Sequence, residues 1–371
     1  MSVPLLDLTL QYSQLKDESD AVWFDVMEHA AYIGGPRVAA LEKEVADYVG
    51  TEYCVACANG TDALFLILEA LGVTRGDEVI TTPWTFFATI ECITHMGATP
   101  VMVDIDPKTY NMDPVALEAA ITPKTKAIIP VHIYGQCCDM DAINAIAQKH
   151  DLVVIEDACQ AMGATYKGKK AGALSRAAAF SFFPTKNLGC GGDGGCLTTD
   201  DKELADRCRL IANHGMPEKY IHTDFGTNSR LDALQAGLLS ARLTKLDEWN
   251  QQRADAAAHY DEELAGIGDL VTPYVDPDGT HIYHLYILKT DKAVQLQEFL
   301  GSKSIGSALY YPLSLHEQKC FDLLDGYVKP DLPVAEECAN ATIAIPCYPG
   351  ITRAQQDEVI AAVKEFFAAD K

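Results

Sequence analysis

Between Glu78 and Glu156 short apolar runs alternate with helical segments, and this constrains the fold more than any other feature of the chain. Glu78 to Thr82 reads as a strand, and Pro83 to Met96 as a turn and helix. Thr99 to Asp104 is a strand, and Asp113-Pro114 opens a helix that runs to about Ile121. Ala127 to Tyr134 is a strand, Met140 to Lys149 a helix, and Leu152 to Glu156 a strand. Strands alternating with helices predict an α/β fold with a mostly parallel central sheet covered on both faces. Upstream, Pro36 to Tyr48 reads as an amphipathic helix, with proline suited to its first position and Gly50 just past its end. Lys202 to His214 is a further helix. The helical stretch from Leu231 to Tyr260 carries no strand signal and reads as the crossing into a smaller unit. That unit has a strand at His281 to Lys289, a helix at Ala293 to Leu300 and a closing helix at Arg353 to Ala369. The expectation is a large domain over 1–249 and a smaller C-terminal α/β domain over 250–371.

The chemistry gathers around Ser181-Phe182-Phe183-Pro184-Thr185-Lys186-Asn187-Leu188-Gly189. An apolar run from Ala177 to Phe183 reads as a buried strand, and Pro184 stops it because proline cannot donate to a ladder. Lys186 then lies between the strand end and a turn with glycine at 189, 191, 192, 194 and 195. Desolvation at the rim of a core lowers a lysine pKa and makes the amine a usable nucleophile. A lone lysine in a surface turn would be the blander reading, but two other stretches weigh against it. Leu152 to Asp157 puts a carboxylate at the C-terminal end of a buried strand, where open α/β sheets bind ligands. Asn59-Gly60-Thr61-Asp62 joins the strand around Tyr53 to Cys57 to the apolar helix Ala63 to Leu71, and a helix N-terminus of this kind binds anions. Ser181 adds a hydroxyl beside the lysine. The chain thus offers an amine, a carboxylate and a phosphate cradle on one scaffold.

Four ordered motifs carry a resemblance. Ala58 to Leu64, Ile155 to Ala161, Ser181 to Gly189 and Asn228 to Asp232 resemble those of the DegT/DnrJ/StrS sugar aminotransferases, pyridoxal-phosphate enzymes of fold type I. The likeness runs from Pro4 to the C-terminal helix. It implies that Lys186 holds the cofactor and moves the proton, and that Asp157 pairs with the pyridine nitrogen. It implies that Gln160 bonds the phenolic oxygen, that Gly60, Thr61 and Ser181 hold the phosphate, and that Phe86 stacks on the ring, with Trp84 and Phe87 as competing choices. Asn228 matches a residue that the family sends to the neighbouring subunit's phosphate, which implies a homodimer with shared sites. Arg230 and Tyr310 are the candidate substrate residues. Tyr310 stands where many relatives carry histidine, and Ser314 where proline is usual. The implied reaction moves the amine of L-glutamate to a nucleotide-linked keto sugar. Cys57 to Leu64 and Tyr134 to Cys137 look closest to the branch that aminates a UDP-3-keto-N-acetylglucosaminuronate, in glycan precursor synthesis. The alternatives are a dTDP- or GDP-linked keto-deoxysugar, or a pyridoxal-phosphate-binding regulator without turnover. The 3-dehydratases of the superfamily replace the lysine with histidine, so Lys186 sets that reading aside.

A net charge of −24 argues against nucleic acid or an anionic membrane as partner. No apolar run approaches the roughly 18 residues of a membrane span, and the N-terminus lacks a signal pattern, so a cytoplasmic location is expected. The twelve cysteines are scattered. Cys54 and Cys57 lie three apart on a strand, face opposite sides and cannot chelate together, and no metal is expected. The glycine run after Lys186 lacks the Gly-Lys-Ser/Thr ending of a nucleotide P-loop.

Overall fold

Buried parallel strands need helices on both faces, and the chain supplies them in alternation. A computed structural model describes residues 2–324 and 326–369. Helices α1 (Leu8–Gln14), α2 (Lys16–His29) and α3 (Gly35–Val49) come first. Then follow β1 (Tyr53–Cys57), α4 (Gly60–Ala70), β2 (Glu78–Thr81), α5 (Ala88–His95), β3 (Thr99–Met102), α6 (Pro114–Ala119), β4 (Thr125–Ile128), α7 (Met140–Lys149) and β5 (Val153–Asp157). A hairpin, β6 (Thr165–Tyr166) and β7 (Lys169–Lys170), leads to β8 (Ala177–Ser181), β9 (Gly195–Thr199) and α8 (Lys202–Ala212). The sheet has seven strands in the order β1-β9-β8-β5-β4-β2-β3. Only β9 runs antiparallel to its neighbours, β8 and β1. It is the return strand after the lysine turn and was outside the expectation.

The helices start where the capping chemistry places them. Asp113, Asp139 and Asp201 each accept a backbone N–H from the first turn of α6, α7 and α8. Each such cap contributes about 1 kcal/mol. Pro36 sits in the first turn of α3 and Gly50 closes it with φ of 92°. One apolar cluster on each face of the sheet forms the core of this domain, with Cys54 in one and Cys57 in the other. The two thiols therefore do lie on opposite sides, and all twelve cysteines are free.

Three expected elements differ. The strand expected from Ala127 to Tyr134 ends at Ile128, because Pro130 interrupts it, and Ile133–Gly135 is a 3₁₀ turn. The long crossing helix is two helices, α9 (Ala233–Leu243) and α10 (Leu246–Leu264), broken at Thr244-Lys245. The strand expected from His281 begins at Tyr286.

The second unit contains β10 (Tyr286–Lys289), α11 (Ala293–Ser302), β11 (Ala308–Leu309), α12 (Pro333–Cys338), β12 (Thr342–Ile345) and α13 (Arg353–Ala369). Its three-stranded antiparallel sheet has the order β10-β12-β11. Helix α10 ties the units together: Leu246 packs in the first core, and Ala256, Tyr260 and Leu264 in the second. The start of the chain also reaches this unit, where Val3 pairs with Ile305 and is buried in the second core. No helix among the described residues is long and apolar enough to cross a membrane.

Candidate active site

Strand β8 ends at Ser181 and the chain folds back on itself at once. Phe182 N donates to Gly194 O at 2.7 Å, and Cys190 N donates to Phe182 O at 2.7 Å. Inside this loop Lys186 N donates to Phe183 O at 2.8 Å. Gly189 is needed here, since a Cβ would strike the Pro184 carbonyl. The half-buried Lys186 side chain reaches a cavity of about 660 Å³ at the C-terminal ends of β5 and β8. No hydrogen bond or ion pair engages its ammonium among the described residues. Burial holds its pKa below the ordinary lysine value, against the opposing pull of Cys159 and Asp157.

Asp157 ends β5 on the same wall and is buried. Its Oδ2 accepts from Thr89 Oγ1 at 2.7 Å, and its Oδ1 accepts from Cys159 N at 3.2 Å. Thr89 in turn shares a 2.8 Å hydrogen bond with Thr85. Gln160 lies one turn further on. Tyr134 N donates to its Oε1 at 2.8 Å, which fixes the amide so that Nε2 points the other way, 3.3 Å from Tyr311 Oη.

The cradle forms where β1 runs into α4. Asn59 Oδ1 accepts from Asp62 N at 2.8 Å and caps the helix. The N–H groups of Gly60 and Thr61, in the first turn, have no intrahelical acceptor. A Cβ on Gly60 would lie 2.8 Å from Ser181 Cβ and 2.9 Å from Cys159 Sγ. Only glycine lets the helix end approach β8 this closely. Gly195 serves the same approach from the other side, because a Cβ there would collide with the Asn59 carbonyl.

The structure thus brings Gly60, Thr61, Phe86, Asp157, Gln160, Ser181, Lys186 and Tyr310 to one cavity. It also separates the three aromatic choices. Trp84 is buried and donates to Tyr134 Oη at 2.8 Å, and Phe87 packs against the core beneath. Phe86 alone of the three lines the cavity, 62% exposed at its rim. Asn228 and Arg230 are not brought there. Both are exposed; Asn228 bridges to Asn213, and Arg230 Nη1 donates to Asn213 Oδ1 at 3.1 Å. Sequence reasoning missed Thr85, Thr89, Cys159, His284 and Tyr311, which share the cavity. The Thr85/Thr89 spacing was a usable signal, since two hydroxyls four apart before an apolar helix face one way.

The sequence model of the DegT/DnrJ/EryC1/StrS aminotransferase family matches residues 13–364. The chain belongs to that family. The pleiotropic regulatory protein of Geobacillus stearothermophilus is 49% identical over 99% of both chains. The UDP-2-acetamido-2-deoxy-3-oxo-D-glucuronate aminotransferase of Pseudomonas aeruginosa is 46% identical, over 97% of this chain and 99% of its own. The crystal structure of S. venezuelae DesV in complex with a ketimine intermediate superposes with a TM-score of 0.96, at 41% identity and 98% coverage of both chains. The fold is therefore that of this aminotransferase family, an α/β architecture with a mostly parallel central sheet.

The family's cofactor is pyridoxal 5′-phosphate, and solved relatives exist in PLP and PMP forms. The residues present fit that group. The glycine-lined helix end would take an anion, the buried carboxylate of Asp157 would face a ring nitrogen, and Lys186 would supply the amine.

Proposed function

We propose that this chain is an aminotransferase that moves the amine of L-glutamate to a nucleotide-linked keto sugar. The observation that carries the reading is Lys186, unpaired and held below its ordinary pKa, in one cavity with Asp157 and the N-terminus of α4. When bound, pyridoxal phosphate supplies an electron sink for a carbon that must lose its proton. Gly60 and Thr61 N–H groups and the Ser181 hydroxyl hold the phosphate. Asp157, held by Thr89 and by Cys159 N, keeps a positive charge on the ring nitrogen. Gln160 Nε2 donates to the phenolic oxygen, and Phe86 covers the ring face. Lys186, once its amine is free, takes the proton from the carbon bearing the nitrogen and returns it on the far side of that group. Tyr310 faces the incoming sugar.

A UDP-3-keto-N-acetylglucosaminuronate is the leading acceptor, supported by the Pseudomonas relative's name at 46% identity. Relatives named for dTDP- and GDP-linked sugars keep those nucleotides as alternatives. Asn228 and Arg230 serve a second copy's cavity, so the working unit is a homodimer, and the setting is glycan precursor synthesis in the cytoplasm. The regulator reading has the 49% relative's name behind it. The intact set of Lys186, Asp157 and Gln160 in one cavity favours turnover over mere binding. The test is direct. Purified protein loaded with pyridoxal phosphate should lose its visible absorbance on adding glutamate, and should then aminate one of a panel of UDP-, dTDP- and GDP-keto sugars, read by mass spectrometry. A spectrum unmoved by glutamate would overturn the enzyme reading and leave the regulator.

A further inference from the structure

A chain of hydrogen bonds behind Lys186 fixes where the proton sits on one buried ring. Asn250 Nδ2 donates to Met162 O at 3.1 Å, which leaves Asn250 Oδ1 as an acceptor. Asn187 Nδ2 donates to that oxygen at 2.7 Å and to Ile282 O at 3.2 Å. The two carbonyls settle which end of each amide is which. Asn187 therefore presents its oxygen to His284, whose Nδ1 lies 3.2 Å away and must carry the proton. Burial first, and then the positive charges of Lys186 and Arg253, push the His284 pKa well below its ordinary value. The ring is neutral, and its Nε2 is a bare acceptor.

That nitrogen has no partner among the described residues, and the ring is a wall of the Lys186 cavity. The backbone beneath is pinned as well. Arg253, fully buried, donates from Nη1 to Tyr283 O at 3.1 Å and to Cys347 O at 2.6 Å. So the residue next to Lys186 in sequence holds a histidine in one tautomer and presents its lone pair to the lysine's cavity. The other titratable groups on that wall are Asp62, Asp157, Asp193, Cys159, Tyr310 and Tyr311. Both oxygens of Asp157 are already occupied.

We propose that His284 is a positioning residue for the Lys186 amine: during turnover, once the cofactor has taken up the amino group and released Lys186, Nε2 accepts an N–H of the freed amine. The proposal rests on the aminotransferase reading for its purpose, since a freed amine must stay beside the reacting carbon rather than swing toward Asp62 or Asp193.

The test uses protein loaded with pyridoxamine phosphate, in which the Lys186 amine is free, labelled with trace acetic anhydride across a pH series and read at Lys186 by mass spectrometry. His284→Asn keeps an N–H toward Asn187 but ends short of Nε2. Without that acceptor the ammonium is less stabilised, and the Lys186 labelling midpoint is expected to fall by about one unit. His284→Gln reaches the depth of Nε2 with an oxygen and should bring the midpoint back toward wild type. The exposed Lys43 is the control and should not move. A midpoint unchanged in His284→Asn overturns the proposal. An independent readout keeps the ring itself: in protein with ¹⁵N-labelled histidine, Lys186→Ala should shift the Nε2 resonance of His284, assigned by its loss in His284→Gln. No shift overturns the proposal even if His284→Asn fails to fold. Failure of the aminotransferase reading looks different, because glutamate would then leave the visible absorbance of the wild-type protein loaded with pyridoxal phosphate unchanged.

Discussion

Thr89 Oγ1 donates to Asp157 Oδ2 at 2.7 Å, from the first turn of α5 to the end of β5, across 68 positions of sequence. The hydroxyl is itself braced by Thr85 at 2.8 Å. Asp157 is thus aimed by an element that shares no local sequence with it. Thr89→Val keeps the shape and removes the donor. A hydrogen bond to a charged group contributes about 1.5–3 kcal/mol, so turnover is expected to fall roughly tenfold or more. Cofactor should still bind, since the cradle is untouched. A turnover number equal to wild type would mean that Asp157 needs no such support.

Gly60→Ala tests the cradle from the opposite side. The new Cβ would sit 2.8 Å from Ser181 Cβ and 2.9 Å from Cys159 Sγ, closer than carbon and sulfur tolerate. Overpacking of this kind costs about 1–3 kcal/mol, and the helix end must back away from β8. Pyridoxal phosphate affinity should fall at least tenfold, measured by absorbance titration. Unchanged affinity would show that the phosphate does not lie at this helix end.

These two sites mark what was legible in the chain. Lys186 and Asp157 could be read because each closes a short apolar run, and the end of a buried strand is where such residues meet ligand. Gly60 could be read from its place between strand and helix. Thr89 and His284 could not be assigned partners, because only the tertiary fold carries α5 to β5 and Asn187 to His284, 97 positions away. The parallel strands were legible as continuous apolar runs. β9 and β11 were not: β11 spans only Ala308–Leu309, too short for any period to show. Helix α2 was hidden for another reason, since it leaves Trp23 and Phe24 exposed at 48% and 60%, which blurs its amphipathic pattern.

His281 gives a prediction for pH. Tyr283 N donates to its Nδ1 at 2.9 Å, so the folded ring is neutral, and it stacks on Tyr283 with centroids 4.1 Å apart. Burial lowers its pKa from 6.5 to about 3. Between those values the unfolded chain binds a proton that the folded chain refuses. Stability therefore falls as pH drops through this window, at up to about 1.4 kcal/mol per unit from this group. His281→Gln removes the titration, and the acid limb of its stability profile, measured by denaturant unfolding from pH 7 to 4, should be shallower than wild type. Parallel profiles would assign the acid sensitivity to other groups.

The last prediction concerns Asn228, which lies exposed and outside its own chain's cavity. If it completes the cavity of a second copy, two inactive variants should restore each other. Lys186→Ala lacks the amine. Asn228→Asp places a negative charge against the cofactor phosphate. In a two-fold dimer each chain completes its partner's site. A mixed dimer then has one site with both faults and one site with neither. Random reassortment makes half the dimers mixed, each with one good site, so about a quarter of wild-type activity should return. If Asn228 instead serves its own chain, every site in the mixture carries one fault and no activity returns. Chains that never exchange would give the same silence, so the two variants are tagged differently and mixed dimers are isolated through both tags before assay. Activity in that doubly tagged fraction, at about half the wild-type value per dimer, is the expected result, and an inactive fraction would place Asn228 outside any shared site.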